Sequence, residues 1–113
     1  MMQSEVKVKD LIPIPDLVSM RRILCVQPHP DDAEIGAGAT AARLIRSGSE
    51  VVYLTVTDGG AGTEDASLAP AELVRIRRHE GEEAARLLGV EQMIWLDFPD
   101  GGCLELSAVR EKI

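Results

Sequence analysis

The chain has 113 residues, room for one small domain. Its 12 Lys and Arg stand against 19 Asp and Glu, a formal net charge of −7, which argues against a protein that tracks nucleic-acid phosphates. Apolar residues make up 45% of the chain, enough for a core, and no apolar run approaches the roughly 18 residues of a membrane span, so neither disorder nor membrane insertion is expected. Residues 1–21 read as an extended lead-in. Charges alternate there at Glu5, Lys7, Lys9 and Asp10, and Pro13 and Pro15 interrupt both a helix and the best candidate for a secretory signal. Two cysteines, Cys25 and Cys103, are too few for a disulfide framework, and the expected location is the reducing cytoplasm.

Residues 22–113 form the domain. Ile23-Leu24-Cys25-Val26 is a continuous apolar run, as in a strand buried on both faces. From Asp32 to Ser47 the spacing becomes helical, with Ile35, Ala39, Ala42 and Ile45 on one stripe and Gly48 as the stop. A second strand runs from Val51 to Val56 and closes into Asp58-Gly59-Gly60-Ala61-Gly62. Ala71–Leu88 is a long amphipathic helix with Leu73, Ile76, Ala84 and Leu87 inward and Gly89 at its end. Met93–Leu96 is a third strand, Asp97–Gly102 a loop, and residues 107–113 the first turns of another helix. Strands alternating with helices of 10–18 residues predict an α/β fold: a Rossmann-like parallel sheet with flanking helices. Such a sheet takes helices on both faces, so three strands and two to three helices make the N-terminal half of a doubly wound domain.

Pro28-His29-Pro30-Asp31-Asp32-Ala33-Glu34 falls where the first strand gives way to the first helix. In an open parallel sheet, ligands bind at the carboxyl ends of the strands. Imidazole and carboxylate are both good ligands for a cation such as Zn²⁺, and His29 and Asp32 lie three apart across a tight turn. Asp31, one residue off that line, is a free carboxylate beside the metal, the position of a general base. The competing reading is a helix cap: Asp31 or Asp32 at the N-cap, the other favoured by the helix dipole, and His29 merely hydrogen-bonded nearby.

The segment His29-Pro30-Asp31-Asp32-Ala33-Glu34 resembles the HPDDxE motif of the LmbE-like (PIG-L) de-N-acetylases, zinc hydrolases that remove acetyl groups from N-acetylglucosaminyl conjugates. Gln27-Pro28 before it, Ile35–Thr40 after it, Thr57–Gly62, Arg77-x-x-Glu80 with Ala84–Gly89, and Asp97–Gly102 are similar to further family segments, so the resemblance spans residues 11 to 106. At roughly 5% usage per residue type, five fixed positions recur by chance on the order of once in 10⁴–10⁵ chains of this length, which makes the motif specific. The resemblance implies that His29 and Asp32 are ligands of zinc or another divalent metal and that Asp31 is the general base. It places Glu34 behind the ligands or as an anchor of the helix, and Arg77 near the substrate, a small amino-sugar conjugate. For Arg77 the competing reading is a solvated residue paired with Glu80 or Glu82. Asp100 also approaches the site in this family, although Asp-Gly is an ordinary turn and the turn is the favoured reading here.

Catalytic zinc usually keeps three protein ligands. The family takes its third from a histidine well downstream, and its catalytic domain is about twice this length. Only His79 remains in this chain, mid-helix among charged residues and expected to be solvated. The chain is therefore expected to be the N-terminal part of a deacetylase, completed by a C-terminal segment or by a second copy in a homo-oligomer. Two rivals remain. One is a dinucleotide-binding half-domain, since Gly36-x-Gly38-x-x-Ala41 matches G-x-G-x-x-A, though it starts nine residues after the strand and its glycines are better explained by close helix–sheet packing. The other is a non-catalytic interaction module that pairs through an exposed sheet edge.

Overall fold

The computed structural model describes residues 5–102 and 104–113; Cys103 lies outside the described residues. In chain order the elements are α1 (Val8–Leu11), a 3₁₀ turn at Leu17–Ser19, β1 (Arg22–Gln27), α2 (Asp32–Arg46), β2 (Glu50–Thr57), α3 (Pro70–Leu88), β3 (Gln92–Phe98) and α4 (Leu106–Lys112). The three strands form one parallel sheet in the order β1-β2-β3. Every long element of the sequence reading is present within two residues of its expected ends. The lead-in differs, because it is not extended throughout. Asp10 accepts the Lys7 N–H at 2.9 Å and closes one helical turn, and Asp16 accepts the Val18 N–H at 3.2 Å and starts the 3₁₀ turn.

Two successive right-handed crossovers in the same direction bring both long helices to the same face of the sheet. There α2 packs on β1 and β2, α3 packs on β3, and the two helices touch. Ala33, Ala41 and Leu44 of α2 meet Ala85 and Leu88 of α3 over Ile23, Cys25, Val51, Tyr53 and Met93. These strand residues are register partners, Ile23 with Val51 and Cys25 with Tyr53 with Met93, so they share a face. Among the described elements, β1 is therefore not buried on both faces as its apolar run suggested: Leu24 and Val26, pointing the other way, are 50% and 48% exposed.

The helices are also rotated from their expected stripes. Ile35 and Leu87 are exposed, while Ala33, Gly38, Ala41 and Leu44 of α2 and Leu73, Gly81 and Ala85 of α3 are buried. Small residues win the inward positions because they let the helices approach bulky partners; a Cβ on Gly81 would lie 3.1 Å from the Trp95 ring. Gly36 and Gly38 do not play the packing role expected of them. A Cβ at Gly36 would meet nothing within 4 Å, and one at Gly38 only Leu88 at 4.0 Å. Both lie inside α2, so they form no phosphate turn.

Tyr53 is 1% exposed and its hydroxyl has no hydrogen-bond partner among the described residues. Burial, reinforced by the nearby Glu34 carboxylate, pushes its pKa from 10.0 up to about 12. Between those values the folded chain keeps the phenol proton that the unfolded chain has lost, so Tyr53 makes stability fall as pH rises through this window. Tyr53→Phe is expected to be as stable as the parent at neutral pH and to lack that alkaline slope. Urea unfolding at a series of alkaline pH values checks this, and an identical slope in the two proteins would rule the assignment out. Burial likewise raises the Cys25 thiol, which is unpaired.

Candidate functional site

The parallel register delivers three loops to the carboxyl ends of the strands, and their backbones are tied together. Thr57 donates both its N–H (2.9 Å) and its hydroxyl (2.8 Å) to the Pro28 carbonyl, fixing the first loop to β2. Asp58 donates its N–H to the Phe98 carbonyl at 2.9 Å, and its Oδ1 accepts the N–H groups of Gly60 (2.9 Å) and Asp100 (3.1 Å). The second loop thus acts as a bracket between the first and the third. Its glycines allow close approach: at Gly59, where φ is +73°, a Cβ would lie 3.0 Å from the Pro30 ring, and at Gly62 one would lie 3.1 Å from Arg77 Nη2.

These ties surround a cleft of about 270 Å³ lined by His29, Asp31, Asp32, Gly59, Arg77 and Asp100. His29 Nδ1 lies 3.4 Å from Asp32 Oδ2, and that same oxygen accepts the His29 backbone N–H at 2.9 Å. His29 Nε2 lies 3.0 Å from Asp100 Oδ1, while the other Asp100 oxygen accepts the Ala61 N–H at 3.2 Å. The ring thus presents one nitrogen to each carboxylate, with Asp100 the nearer partner. His29 and Asp32 are each about half exposed to the cleft, at 51% and 42% of the side chain.

Asp31 does not cap α2 with its side chain, although it occupies the N-cap position. The donor it would be expected to take, the N–H of Ala33, goes instead to Gln27 Oε1 at 2.8 Å. The Asp31 carboxylate turns to Arg77, whose Nη1 lies 3.2 Å away, and its backbone sits in the left-handed region at φ 96°. That conformation costs a non-glycine residue about 1–2 kcal/mol, and such strain gathers at functional positions.

Arg77 reaches this point from α3 and also donates to the Gly62 carbonyl at 3.2 Å. Its guanidinium is thus paired with Asp31 rather than with Glu80 or Glu82. Both carboxylate oxygens of Glu34 are buried with no hydrogen-bond partner among the described residues. Desolvation raises its pKa, and the negative charges of Asp31 and Asp32 add to the rise. It lines a smaller cavity of about 140 Å³ with Asp31, Arg77 and Glu80. His79 is solvent-exposed on α3, as expected.

The donors fit a divalent metal in part. An imidazole nitrogen and a carboxylate oxygen converge, which suits zinc, but among the described residues no group of three or more His, Cys, Asp or Glu is arranged to hold an ion. Two participants were under-weighted in the sequence reading, which favoured a plain turn at Asp100. Asp100 is more than a turn residue, since its side chain is 12% exposed and bridges His29 to the second loop. Gln27 was noted only as a neighbour of the motif, although a glutamine at the inner end of an apolar strand signals a buried polar tie.

The profile of a family described as PIG-L: GlcNAc-PI de-N-acetylase matches residues 24–113. Diacetylchitobiose deacetylase of Thermococcus kodakarensis is 42% identical over 94 residues, covering 83% of this chain and 35% of the relative. The 1D-myo-inositol 2-acetamido-2-deoxy-alpha-D-glucopyranoside deacetylase of Kineococcus radiotolerans is 46% identical over 85 residues, covering 72% and 24% respectively. Among solved structures, N,N'-diacetylchitobiose deacetylase of Pyrococcus horikoshii superposes with a TM-score of 0.80 at 46% identity, over 83% of this chain and 35% of that one. The chain therefore spans about a quarter to a third of the length of these relatives.

Proposed function

Because the chain belongs to the PIG-L family of de-N-acetylases, we propose that it supplies the N-terminal part of a metal-dependent hydrolase that removes an N-acetyl group from an N-acetylglucosaminyl-type conjugate. The observation that carries this reading is the Asp31 carboxylate, released from capping and held at the cleft beside His29 and Asp32. His29 Nδ1 and Asp32 would hold the metal, zinc by ligand chemistry, with a third donor from a complementing C-terminal segment or a second copy of the chain. Bound there, the ion would polarise the acetamide carbonyl and make water more acidic.

Asp31 takes a proton from the attacking water as the water oxygen bonds to the acetamide carbon. The C–N bond then breaks, the amine nitrogen gains a proton, and acetate and a free amino sugar leave. Arg77, which lines the cleft with its side chain 27% exposed, would meet a substrate hydroxyl or carbonyl. Glu34, itself in the first turn of α2, keeps both carboxylate oxygens buried.

Release of acetate from N,N'-diacetylchitobiose tests the reading. Zinc-loaded chain is assayed alone and together with the C-terminal part of the Thermococcus relative. Metal-dependent turnover in either mixture is the expected result. No turnover in both, combined with metal-independent self-association of the chain, would favour an interaction module built on the free edge of β1.

A further inference from the structure

The N-cap position of α2 holds a carboxylate that does not cap. A helix start exposes backbone N–H donors, and an Asp at this position normally accepts one of them. Here the Ala33 N–H is met by Gln27 Oε1, delivered from the last residue of β1. Gln27 is 1% exposed, and its Nε2 donates to Thr55 Oγ1 at 2.8 Å, so the amide is fixed at both ends between β1, β2 and α2. Its orientation leaves no freedom: the oxygen must face the helix and the nitrogen the threonine.

We propose that Gln27 is a positioning residue for the deacetylation reaction: by taking over the capping of α2 from the neighbouring strand, it frees the Asp31 carboxylate to face Arg77 and the cleft. The proposal rests on the function assigned above. A neutral amide satisfies the donor without placing a second negative charge under the site, where Glu34 is already buried. The same exchange explains why Asp31 is held at φ 96°: a capping carboxylate follows the extended backbone usual at an N-cap, whereas the left-handed turn directs the side chain away from the helix.

The test has an arm that needs neither metal nor substrate. Amide hydrogen exchange is followed at Ala33 in the metal-free chain. Asp31→Gly is expected to leave the Ala33 rate within twofold of the parent, because glycine accepts the left-handed backbone and Asp31 is not the acceptor. Gln27→Leu combined with Asp31→Gly is expected to speed it at least tenfold. If Asp31→Gly alone exposes Ala33, Asp31 is the cap and the proposal is overturned, and this single variant decides the matter even where Gln27→Leu fails to fold. In the second arm, Gln27→Leu is expected to lower kcat at least tenfold with KM and zinc content unchanged, because the carboxylate now turns to the helix. An unchanged kcat, or a rise in KM alone, would also overturn it. A parent chain that shows no turnover under any condition removes the deacetylase reading and leaves the exchange measurement to decide the capping exchange.

Discussion

Asp31→Asn is expected to abolish nearly all turnover while leaving fold and metal content intact. General-base contributions are typically about 10²–10⁴-fold, so kcat for acetate release should fall by about that factor. The substitution isolates the proton-accepting role for three structural reasons. Asparagine tolerates the left-handed backbone at φ 96° at least as well as aspartate. No cap is lost, since Gln27 holds the Ala33 N–H. The amide oxygen can still accept from Arg77 Nη1. Zinc per chain and the thermal midpoint should match the parent, with kcat alone collapsing. Turnover within tenfold of the parent would transfer the base role to another group.

His29→Ala should weaken zinc binding by more than about 100-fold, exceeding the 10–100-fold usually seen when only a group behind a ligand is lost. Competition with a chromophoric chelator reads this directly. Asp100→Asn provides the graded comparison. Asp100 faces Nε2 of His29 at 3.0 Å and would orient the ring without touching the ion, so its replacement should fall within the smaller range. If His29→Ala and the parent bind zinc alike, the ion is held elsewhere and the assignment of His29 fails. If Asp100→Asn costs as much as His29→Ala, Asp100 is itself a ligand, and the chain supplies three donors rather than two.

The fold was legible in the sequence because apolar runs and helical spacing are local properties, and every long element from β1 to α4 follows from them. The rotation of the helices was not, because a stripe count gives isoleucine and leucine precedence over alanine and glycine. The packed interface prefers the small residues: Ile35 faces solvent while Ala33 and Ala41 face Tyr53 and its neighbours. The exposure of Leu24 and Val26 is equally invisible in one dimension, since it depends on both crossovers turning the same way. At the site, residue types and spacing located His29, Asp31 and Asp32 but left cap and base unresolved. Gln27, which meets the Ala33 N–H in place of Asp31, acts across the strand-to-helix turn, and the partner facing His29 Nε2 is 71 residues downstream, at Asp100.

The rim of the site divides into stiff and free portions. The bonds from Thr57 to Pro28, from Asp58 to Phe98 and Asp100, and from Ala61 to Asp100 lock the inner halves of all three loops to one another. Beyond Gly62 the second loop is, among the described residues, bound only to itself, through Thr63, Asp65 and Ser67, and is exposed throughout until Leu68. Changes in length or composition at 63–67 can therefore accumulate without disturbing the cleft, whereas a single inserted residue at 58–61 would shift Asp100 and His29 together. One scaffold can in this way hold the inner loops constant while the outer stretch is remodelled, a modular separation already laid down in the hydrogen bonding of three short loops.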